Sequence, residues 1–307
     1  METNIETPKK ISFSAGPLLI MIAAVLWGLD GVLRRSLYSL PPITIIFFEH
    51  LFGFVLLLPF VWKEFRTVKL SRKDWSMLSL VALLSGVLGT LFFTTALLST
   101  GFISFSVVYL LQKLQPLFAI STARIFLKEK MNSQYYLWAL LALLAAYFVT
   151  FPNGIVNFGT GAGTTVAALF AVGAAFAWGT STTFSKIALN NIPASLATGL
   201  RFFLTSILAF LGVLALGKTA SVAALTGNQA LILITIALST GMVALFIYYK
   251  GLKNTPVSVS TILELFYPLI AVTIDIALYD NILEPSQYFA ALILVFAMYR
   301  VGKLASK

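Results

Sequence analysis

Two long stretches of the chain contain no Asp, Glu, Lys or Arg, and this feature limits the possible folds more than any other. Residues 75–112 form a charge-free stretch of 38 residues, and residues 131–185 form one of 55 residues. An α-helix needs about 20 apolar residues to cross the hydrocarbon core of a bilayer, so each stretch is long enough for two crossings. Hydrophobic residues make up 59% of the chain and charged residues 10%, unlike the composition of soluble domains. The sequence therefore predicts an all-α membrane protein.

Apolar segments separated by turn-forming residues predict ten transmembrane helices. The predicted segments are 15–35, 42–62, 75–98, 102–125, 134–151, 163–187, 194–216, 229–250, 256–279 and 286–302. Basic residues in short loops favour the cytoplasmic side of a membrane. With a cytoplasmic N-terminus, 16 of the 21 Lys and Arg residues fall in cytoplasmic segments. Three fall on the outer side, Arg34, Arg35 and Lys218, and two lie within helices. Both termini are therefore predicted to be cytoplasmic, in a multi-pass protein of the cell (inner) membrane.

The two halves of the chain match each other at a nearly constant offset. At an offset of 151, Trp27-Gly28 corresponds to Trp178-Gly179, Pro42 to Pro193 and His50 to Arg201, and at 152, Gln112 corresponds to Glu264, Pro116 to Pro268 and Tyr136 to Tyr288. Matches in this order indicate an internal duplication, with a first five-helix repeat at 1–152 and a second at 153–307. Because five is odd, the repeats are predicted to be inverted in the membrane. Inverted repeats are typical of secondary transporters with a substrate site near the middle of the membrane.

Ionisable side chains in the middle of transmembrane helices are costly in lipid, so they usually face the bundle interior or a water-filled cavity. The candidates here are Glu49, His50, Lys113, Arg201, Glu264 and Asp275. Contact with substrate or protons is one interpretation, and an internal salt bridge that fixes the helix packing is an equal alternative. The carboxylates Glu49, Glu264 and Asp275 are the candidates for proton coupling, because such groups carry protons in many transporters.

Four aromatic residues complete the predicted substrate site. Trp27 and Trp178 lie at equivalent positions in the middle of predicted helices, and the indole N–H of a buried Trp needs a partner. Tyr109 lies one turn before Lys113, and Tyr267 lies one turn after Glu264. We expect these side chains to line the same cavity as the charged candidates.

Two prolines lie within predicted helices at equivalent positions of the two repeats. Pro116 and Pro268 each remove one backbone hydrogen bond from their helix and leave a carbonyl free to meet a ligand or water. A static kink relieved by packing is one interpretation. Their paired occurrence favours a role in gating.

Several classes of function are excluded by what the chain lacks. There is no Cys and only one His, which excludes thiolate and multi-imidazole metal sites. The glycine-rich residues 159–164 lack the Lys of a phosphate-binding loop. The net charge of +10 is spread over short loops instead of forming a basic stripe for nucleic acid. We therefore predict that the protein is not an enzyme and has no cofactor, metal or nucleic-acid partner, and that it interacts with a small-molecule substrate, the lipid bilayer and protons.

Several short motifs lie in order along the chain, most of them with a counterpart in the other half. They are the two Trp-Gly pairs, RFFL at 201–204, QKLQP at 112–116 followed by LKEKM at 127–131, and ELFYP at 264–268 followed by LEP at 283–285. In this order they resemble the EamA-type ten-helix members of the drug/metabolite transporter superfamily, over about residues 15–303. One difference is that Glu49-His50 stands where the family usually has an Arg in its second helix.

The resemblance implies a secondary transporter that exports amino acids or related small polar or amphiphilic metabolites by alternating access. The residues themselves suit a zwitterion, with its carboxylate held by Arg201 or Lys113 and its amine by Glu264. An exchanger of organic anions, such as nucleotide-type or phosphorylated metabolites, is the alternative. A membrane-embedded lipid-modifying enzyme is less favoured, because no reactive constellation of side chains is found. The sequence predicts no particular oligomeric state.

Overall fold

The computed structural model describes residues 15–99, 107–159, 163–279 and 282–305, and these residues are largely helical. The helices of the first half are α1 (Ala15–Arg34), α2 (Pro42–Thr67), α3 (Arg72–Val81), α4 (Thr90–Ser99), α5 (Val107–Gln112), α6 (Gln115–Thr122) and α7 (Ser133–Thr150). Those of the second half are α8 (Thr164–Leu189), α9 (Ala194–Ala215), α10 (Thr219–Ala223), α11 (Gly227–Leu238), α12 (Met242–Lys253), α13 (Val257–Leu263), α14 (Tyr267–Tyr279) and α15 (Pro285–Ala305). Short π-helical or 3-10 pieces lie at Arg35–Leu37, Ala82–Gly89, Ala123–Leu127, Pro152–Gly154 and Glu264–Phe266.

Within the described ranges, nine helical segments are long and apolar enough to cross a membrane. The fourth predicted segment, 102–125, begins outside the described residues, so the count of ten helices stays a prediction, as does the orientation of the termini. Large apolar side chains cover the outer surface, and Phe60, Leu169 and Leu292 are each more than 70% exposed. A soluble monomer rarely exposes so much contiguous apolar surface, whereas lipid accommodates it.

Helix starts follow local sequence signals. The side chain of Ser71 accepts a hydrogen bond from the backbone N–H of Asp74, whose carboxylate accepts one from the backbone of Ser71 in return. Thr226 and Gln229 form the same reciprocal arrangement at the start of α11. Each pair satisfies backbone donors that have no partner within the helix. Pro42 begins α2, where its fixed φ angle and missing N–H are tolerated.

The predicted segment 229–250 corresponds to one apolar span, Gly227–Lys253, but its helix is interrupted, because α11 ends at Leu238 and α12 begins at Met242. The carbonyl of Ile236 accepts hydrogen bonds from the backbone N–H groups of both Ser239 and Gly241, at 3.2 and 2.7 Å. Gly241 has non-helical angles of φ −89° and ψ −99°. A glycine is about 1 kcal/mol less favourable than Ala inside a helix. The neighbouring Thr240 donates a hydrogen bond to Asp30 of α1 from within this interruption.

The two predicted proline-containing helices are also interrupted, at equivalent places. The α-helical pattern stops after Gln112 and resumes at Gln115, and Pro116 is the second residue of the new helix. In the second half it stops after Leu263, and Pro268 is the second residue of α14. The missing N–H of proline explains both positions.

The packing of the helices follows the duplication of the sequence. The second helices of the two halves, α2 and α9, pack against each other, as do the fifth helices, α7 and α15. The first membrane-spanning segment of each half packs against the third segment of the other half. In this way α1 packs against α12, and α8 packs against α4. The contacts are therefore exchanged by the repeat, which supports the predicted duplication; the boundary at residues 152 and 153 stays a prediction.

The connection between α12 and α13 is held at both ends by side chains from other elements. Nζ of Lys186 on α8 donates to three carbonyl oxygens at 2.7–3.0 Å. The acceptors are Leu252, Lys253 and Thr255. The carboxylate of Glu129, which precedes α7, accepts hydrogen bonds from the backbone N–H groups of Val257 and Ser258, at 2.7 and 3.0 Å. A cation at a helix C-terminus and a carboxylate at an N-terminus both complement the helix dipoles.

Candidate functional site

A cavity of about 440 Å³ lies between the two halves of the chain and is lined by helices from both. Its volume falls in the range of about 300–1,000 Å³ that is typical of small-molecule sites. The predicted residues that line it are Trp27, Glu49, His50, Lys113, Pro116, Trp178, Arg201, Glu264, Tyr267 and Pro268. The side chains of the other two, Tyr109 and Asp275, lie outside the described residues. The cavity brings the described candidates together, and their individual roles stay predictions.

The described residues that line the cavity carry a balanced formal charge. Three carboxylates, those of Asp30, Glu49 and Glu264, accompany three cations. The cations are Arg34, Lys113 and Arg201. A site with this balance favours a neutral or zwitterionic ligand over one with several negative charges.

A charged cluster, here called the Arg34 cluster, consists of Asp30, Arg34, Glu49 and Thr240. The guanidinium of Arg34 contacts both oxygens of Asp30, at 2.6 and 3.2 Å, and the Glu49 carboxylate at 3.0 Å. The hydroxyl of Thr240 donates to Asp30 at 2.7 Å. The cluster therefore ties α1 to α2 and to the interruption between α11 and α12.

Sequence reasoning missed Asp30 and Arg34, and it counted Arg34 among the loop cations outside the membrane. In the structure Arg34 is the last residue of α1, and 15% of its side chain is exposed. The four-residue spacing of Asp30 and Arg34, which lets opposite charges meet on one helix face, was the signal available. Glu49, predicted as a coupling candidate, is held in this ion pair.

A second polar group, here called the Glu264 cluster, surrounds the carboxylate of Glu264. The hydroxyl of Tyr248 donates to Glu264 at 2.7 Å, that of Ser260 at 3.3 Å, and the side-chain amide of Gln115 at 3.1 Å. Gln112 in turn donates to the amide oxygen of Gln115 at 3.1 Å. Within the described part of the chain, no Lys or Arg nitrogen lies within 4 Å of this carboxylate. Neutral donors therefore hold it, and no sequence signal pointed to Tyr248.

Arg201 and His50, which occupy equivalent positions in the repeats, have different surroundings. Nη1 of Arg201 donates to the hydroxyl of Tyr249 at 3.1 Å, while its buried Nε has no hydrogen-bond partner among the described residues. Nδ1 of His50 donates to the carbonyl of Ile46 at 2.8 Å, and its ring lies 4.6 Å from that of Phe202. Arg201 therefore keeps a donor for a ligand, whereas Nδ1 of His50 is engaged by its own helix.

Lys113 lies in the interruption between α5 and α6. Its ammonium lies 5.8 Å from the centre of the Tyr267 ring, within range of a cation–π contact. No carboxylate oxygen of the described residues lies within 4 Å of it. Lys113 is therefore a cation in the cavity lining that forms no ion pair with a described residue.

The two tryptophans predicted to line the cavity do so from opposite repeats. The ring of Trp27 lies 5.0 Å from that of Tyr248, at an angle of 54°. Nε1 of Trp178 donates to the carbonyl of Ser85 at 3.2 Å, and its ring lies 5.2 Å from that of Phe93. Aromatic surfaces thus flank the polar clusters. Among the described residues, no group of three or more His, Cys, Asp and Glu side chains could hold a metal ion.

A multi-pass helical bundle with two similar halves and a mixed polar and aromatic cavity between them defines a membrane transporter. The sequence pattern of the EamA-like transporter family matches residues 14–151 and again residues 165–302. The chain belongs to the EamA-like transporter family, which confirms the resemblance found in the sequence and accounts for the two halves.

Individual relatives extend this result. The chain is 36% identical over 292 residues to the riboflavin transporter ImpX of Fusobacterium nucleatum, a match that covers 94% of this chain and 98% of that protein. It is 23% identical to the uncharacterized transporter YwfM of Bacillus subtilis, over 94% of each. A protein of known crystal structure has the same fold, with a TM-score of 0.73 at 17% identity, over 96% of this chain and all of the other.

Proposed function

We propose that the protein carries riboflavin or a closely related flavin across the cell membrane by alternating access. The observation that carries this proposal is that Trp27 with Tyr248, and Trp178 with Phe93, line one cavity of suitable volume from opposite repeats. Flat aromatic ligands bind well against such surfaces, because offset or tilted stacking adds to the burial of apolar area. The riboflavin transporter of F. nucleatum, similar over nearly its whole length, supports the same substrate class.

The Glu264 cluster suits the polar edge of a flavin ring. That edge carries one N–H donor between two carbonyl acceptors. The carboxylate of Glu264 can accept from the N–H, and the amides of Gln112 and Gln115 can donate to a carbonyl. A buried polar group that loses its partner costs more free energy than a hydrogen bond gains, so this arrangement selects a ligand with matching groups.

The balanced charge of the cavity weighs against the organic-anion alternative. A nucleotide or phosphorylated metabolite would need several unpaired cations, and Arg34 is already engaged by Asp30 and Glu49. Lys113 and Arg201 remain, accompanied by Glu264 in the cavity lining.

Export of a zwitterionic amino acid is the second candidate, and the free Nε of Arg201 favours it. If Arg201 holds a substrate carboxylate, Arg201→Lys keeps the charge but loses the planar fork, so binding of the amino acid weakens. Arg201→Ala then abolishes it. Normal amino-acid binding by the Ala variant would make Arg201 a structural residue.

Transport of radiolabelled riboflavin into proteoliposomes that contain the purified full chain tests the proposal. We expect saturable uptake that excess unlabelled riboflavin blocks and a mixture of amino acids does not. Liposomes without protein are the baseline, and Trp27→Ala should reduce uptake. Saturable uptake of a labelled amino acid or nucleotide by the same proteoliposomes, without saturable uptake of riboflavin, would overturn the flavin assignment in favour of the corresponding alternative.

For energy coupling we propose Glu264 as the proton carrier in preference to Glu49. Neutral donors hold the Glu264 carboxylate, whereas Arg34 balances the charge of Glu49. We expect an imposed pH gradient to stimulate uptake by the native protein, and Glu264→Gln to remove the stimulation while exchange of riboflavin for riboflavin continues, because the amide oxygen of Gln still accepts from the flavin N–H. Glu49→Gln is the matched control and should keep the response. A native protein that ignores the pH step would refute this role.

A further inference from the structure

One face of α8 places three hydroxyl-bearing residues in the cavity lining, Ser181, Thr182 and Ser185. Residues at this spacing share a helix face with Trp178, one turn earlier. Thr261, on α13, adds a fourth hydroxyl to the lining, and α13 packs against α8. These four residues are called the hydroxyl surface below.

Two of the four hydroxyls have no hydrogen-bond partner within the described part of the protein. Ser181 and Thr261 are each 1% exposed, and their Oγ and Oγ1 atoms are buried without a donor or acceptor in reach. The other two are engaged, Thr182 by the backbone of Trp178 at 3.2 Å and Ser185 by the hydroxyl of Tyr249 at 3.1 Å. Buried polar groups are normally hydrogen-bonded, so the first two are the ones that a ligand would satisfy.

We propose that the hydroxyl surface binds a polyhydroxylated chain on the substrate. This inference rests on the proposed function, because the ribityl chain of riboflavin is such a group. A hydroxyl both donates and accepts, so a row of serine and threonine side chains complements a row of substrate hydroxyls without any net charge. From Ser181 to Ser185 the helix rises about 6 Å, comparable with an extended five-carbon chain.

The position of Trp178 on the same face gives the ligand a defined orientation. A flavin ring that lies against the indole of Trp178 sends its ribityl chain along α8, past Ser181 and towards Ser185. The polar edge of the ring can then reach the Glu264 cluster, whose Gln115 lies on α6, a helix that packs against α8. The hydroxyl surface therefore distinguishes flavins by their side chain, and the aromatic walls recognise the ring.

Binding of two flavins to the purified full-length protein tests the inference. Riboflavin carries the ribityl chain, and lumiflavin has the same ring with a methyl group instead. Titration followed by flavin fluorescence should show that the native protein binds riboflavin at least about tenfold more tightly, as expected for a few net hydrogen bonds. Ser181→Ala with Thr261→Val should weaken riboflavin binding about tenfold and leave lumiflavin binding unchanged.

Thr180→Val is the matched control. Thr180 precedes Ser181 on α8, is equally without a hydrogen-bond partner in the described residues, and does not belong to the cavity lining. We expect it to leave the riboflavin-to-lumiflavin ratio at the native value. Thermal unfolding of each variant establishes whether it is folded. Where a variant does not fold, the riboflavin-to-lumiflavin affinity ratio of the native protein still tests whether the ribityl chain is bound.

The outcomes separate this inference from the proposed function. Equal affinity of the native protein for riboflavin and lumiflavin would overturn the hydroxyl surface while leaving flavin transport in place. So would a double variant that behaves like Thr180→Val. Failure of both flavins to bind the native protein would instead overturn the proposed function.

Discussion

The first helices of the two repeats, α1 and α8, face the cavity with equivalent positions but different chemistry. The residues are Trp27, Asp30 and Arg34 on α1 and Trp178, Ser181 and Ser185 on α8, at an offset of 151. The aromatic position is the same in both, whereas the two polar positions are charged on α1 and carry hydroxyls on α8. The duplication therefore preserved the aromatic position of the cavity wall, while the polar positions of the two helices differ in charge.

Each of these helices also contacts the third helix of the other repeat at a place where that helix departs from α-helical geometry. Asp30 accepts from Thr240 at the interruption between α11 and α12. Trp178 donates to the carbonyl of Ser85, which lies in the π-helical segment after α3. One contact depends on charge and the other on a single neutral hydrogen bond. Mutations at equivalent positions should therefore have unequal effects.

The largest difference is expected between Arg34→Ala and Ser185→Ala, which occupy equivalent positions. Removal of Arg34 leaves the Asp30 and Glu49 carboxylates inside the bundle without their cation, and breaking a buried ion pair costs about 3–5 kcal/mol. Ser185→Ala removes one hydroxyl contact with Tyr249, worth about 1 kcal/mol. Unfolding of the purified variants in detergent, followed by denaturant titration, measures both. Equal losses of unfolding free energy in the two variants would contradict the prediction that the charged contact of α1 contributes more than the hydroxyl contact of α8.

A smaller effect is expected at the contact between Gly89 and Trp178. A Cβ atom on Gly89 would lie 2.5 Å from the indole ring, so Gly89→Ala should displace Trp178 and cost about 1–3 kcal/mol of unfolding free energy. Gly227, at the start of α11, has no atom within 4 Å of the same position, and Gly227→Ala is the control, with no loss expected. Thermal unfolding with tryptophan fluorescence reports both stability and the indole environment. An unchanged Gly89→Ala protein would contradict the close packing.

The smallest difference concerns the indole N–H groups. Trp178→Phe removes the hydrogen bond to the Ser85 carbonyl as well as part of the ring, whereas Trp27→Phe mainly reduces the packing with Tyr248. We expect Trp178→Phe to lose about 1 kcal/mol more stability than Trp27→Phe, the value of one net hydrogen bond. Denaturant titration of the two variants side by side gives the difference. A larger loss of unfolding free energy in Trp27→Phe than in Trp178→Phe would contradict this prediction.

The sequence predicted the helices and the duplication because both depend on patterns along the chain. Apolar segments must span the bilayer, and equivalent Trp, Pro and charged residues recur at a fixed offset. The interruption at 239–241 could not be predicted in this way, since Ser239, Thr240 and Gly241 are tolerated within an apolar helix. It depends on a partner, Asp30, that lies 210 residues away.

The candidate site was predictable only where a residue stood out against its apolar surroundings. Glu264, Arg201 and Lys113 did so in the middle of predicted helices. Arg34 did not, because a basic residue at a helix end is usual for a loop at the membrane surface. Its burial results from the packing of α1 against α12 and α11 and from its ion pair with Glu49 of α2, which no local pattern encodes.

The anchoring of the connection between α12 and α13 has a mechanical consequence. With Lys186 at one end and Glu129 at the other, hydrogen bonds hold the angle between these two helices, so we expect bending at the two nearest interruptions, 239–241 and 264–266. Thr240 of the Arg34 cluster lies in the first of these interruptions, and Glu264 lies in the second. A ligand that changes the hydrogen bonds of either cluster therefore changes the contacts of a helix interruption directly, and not through the helices on either side of it.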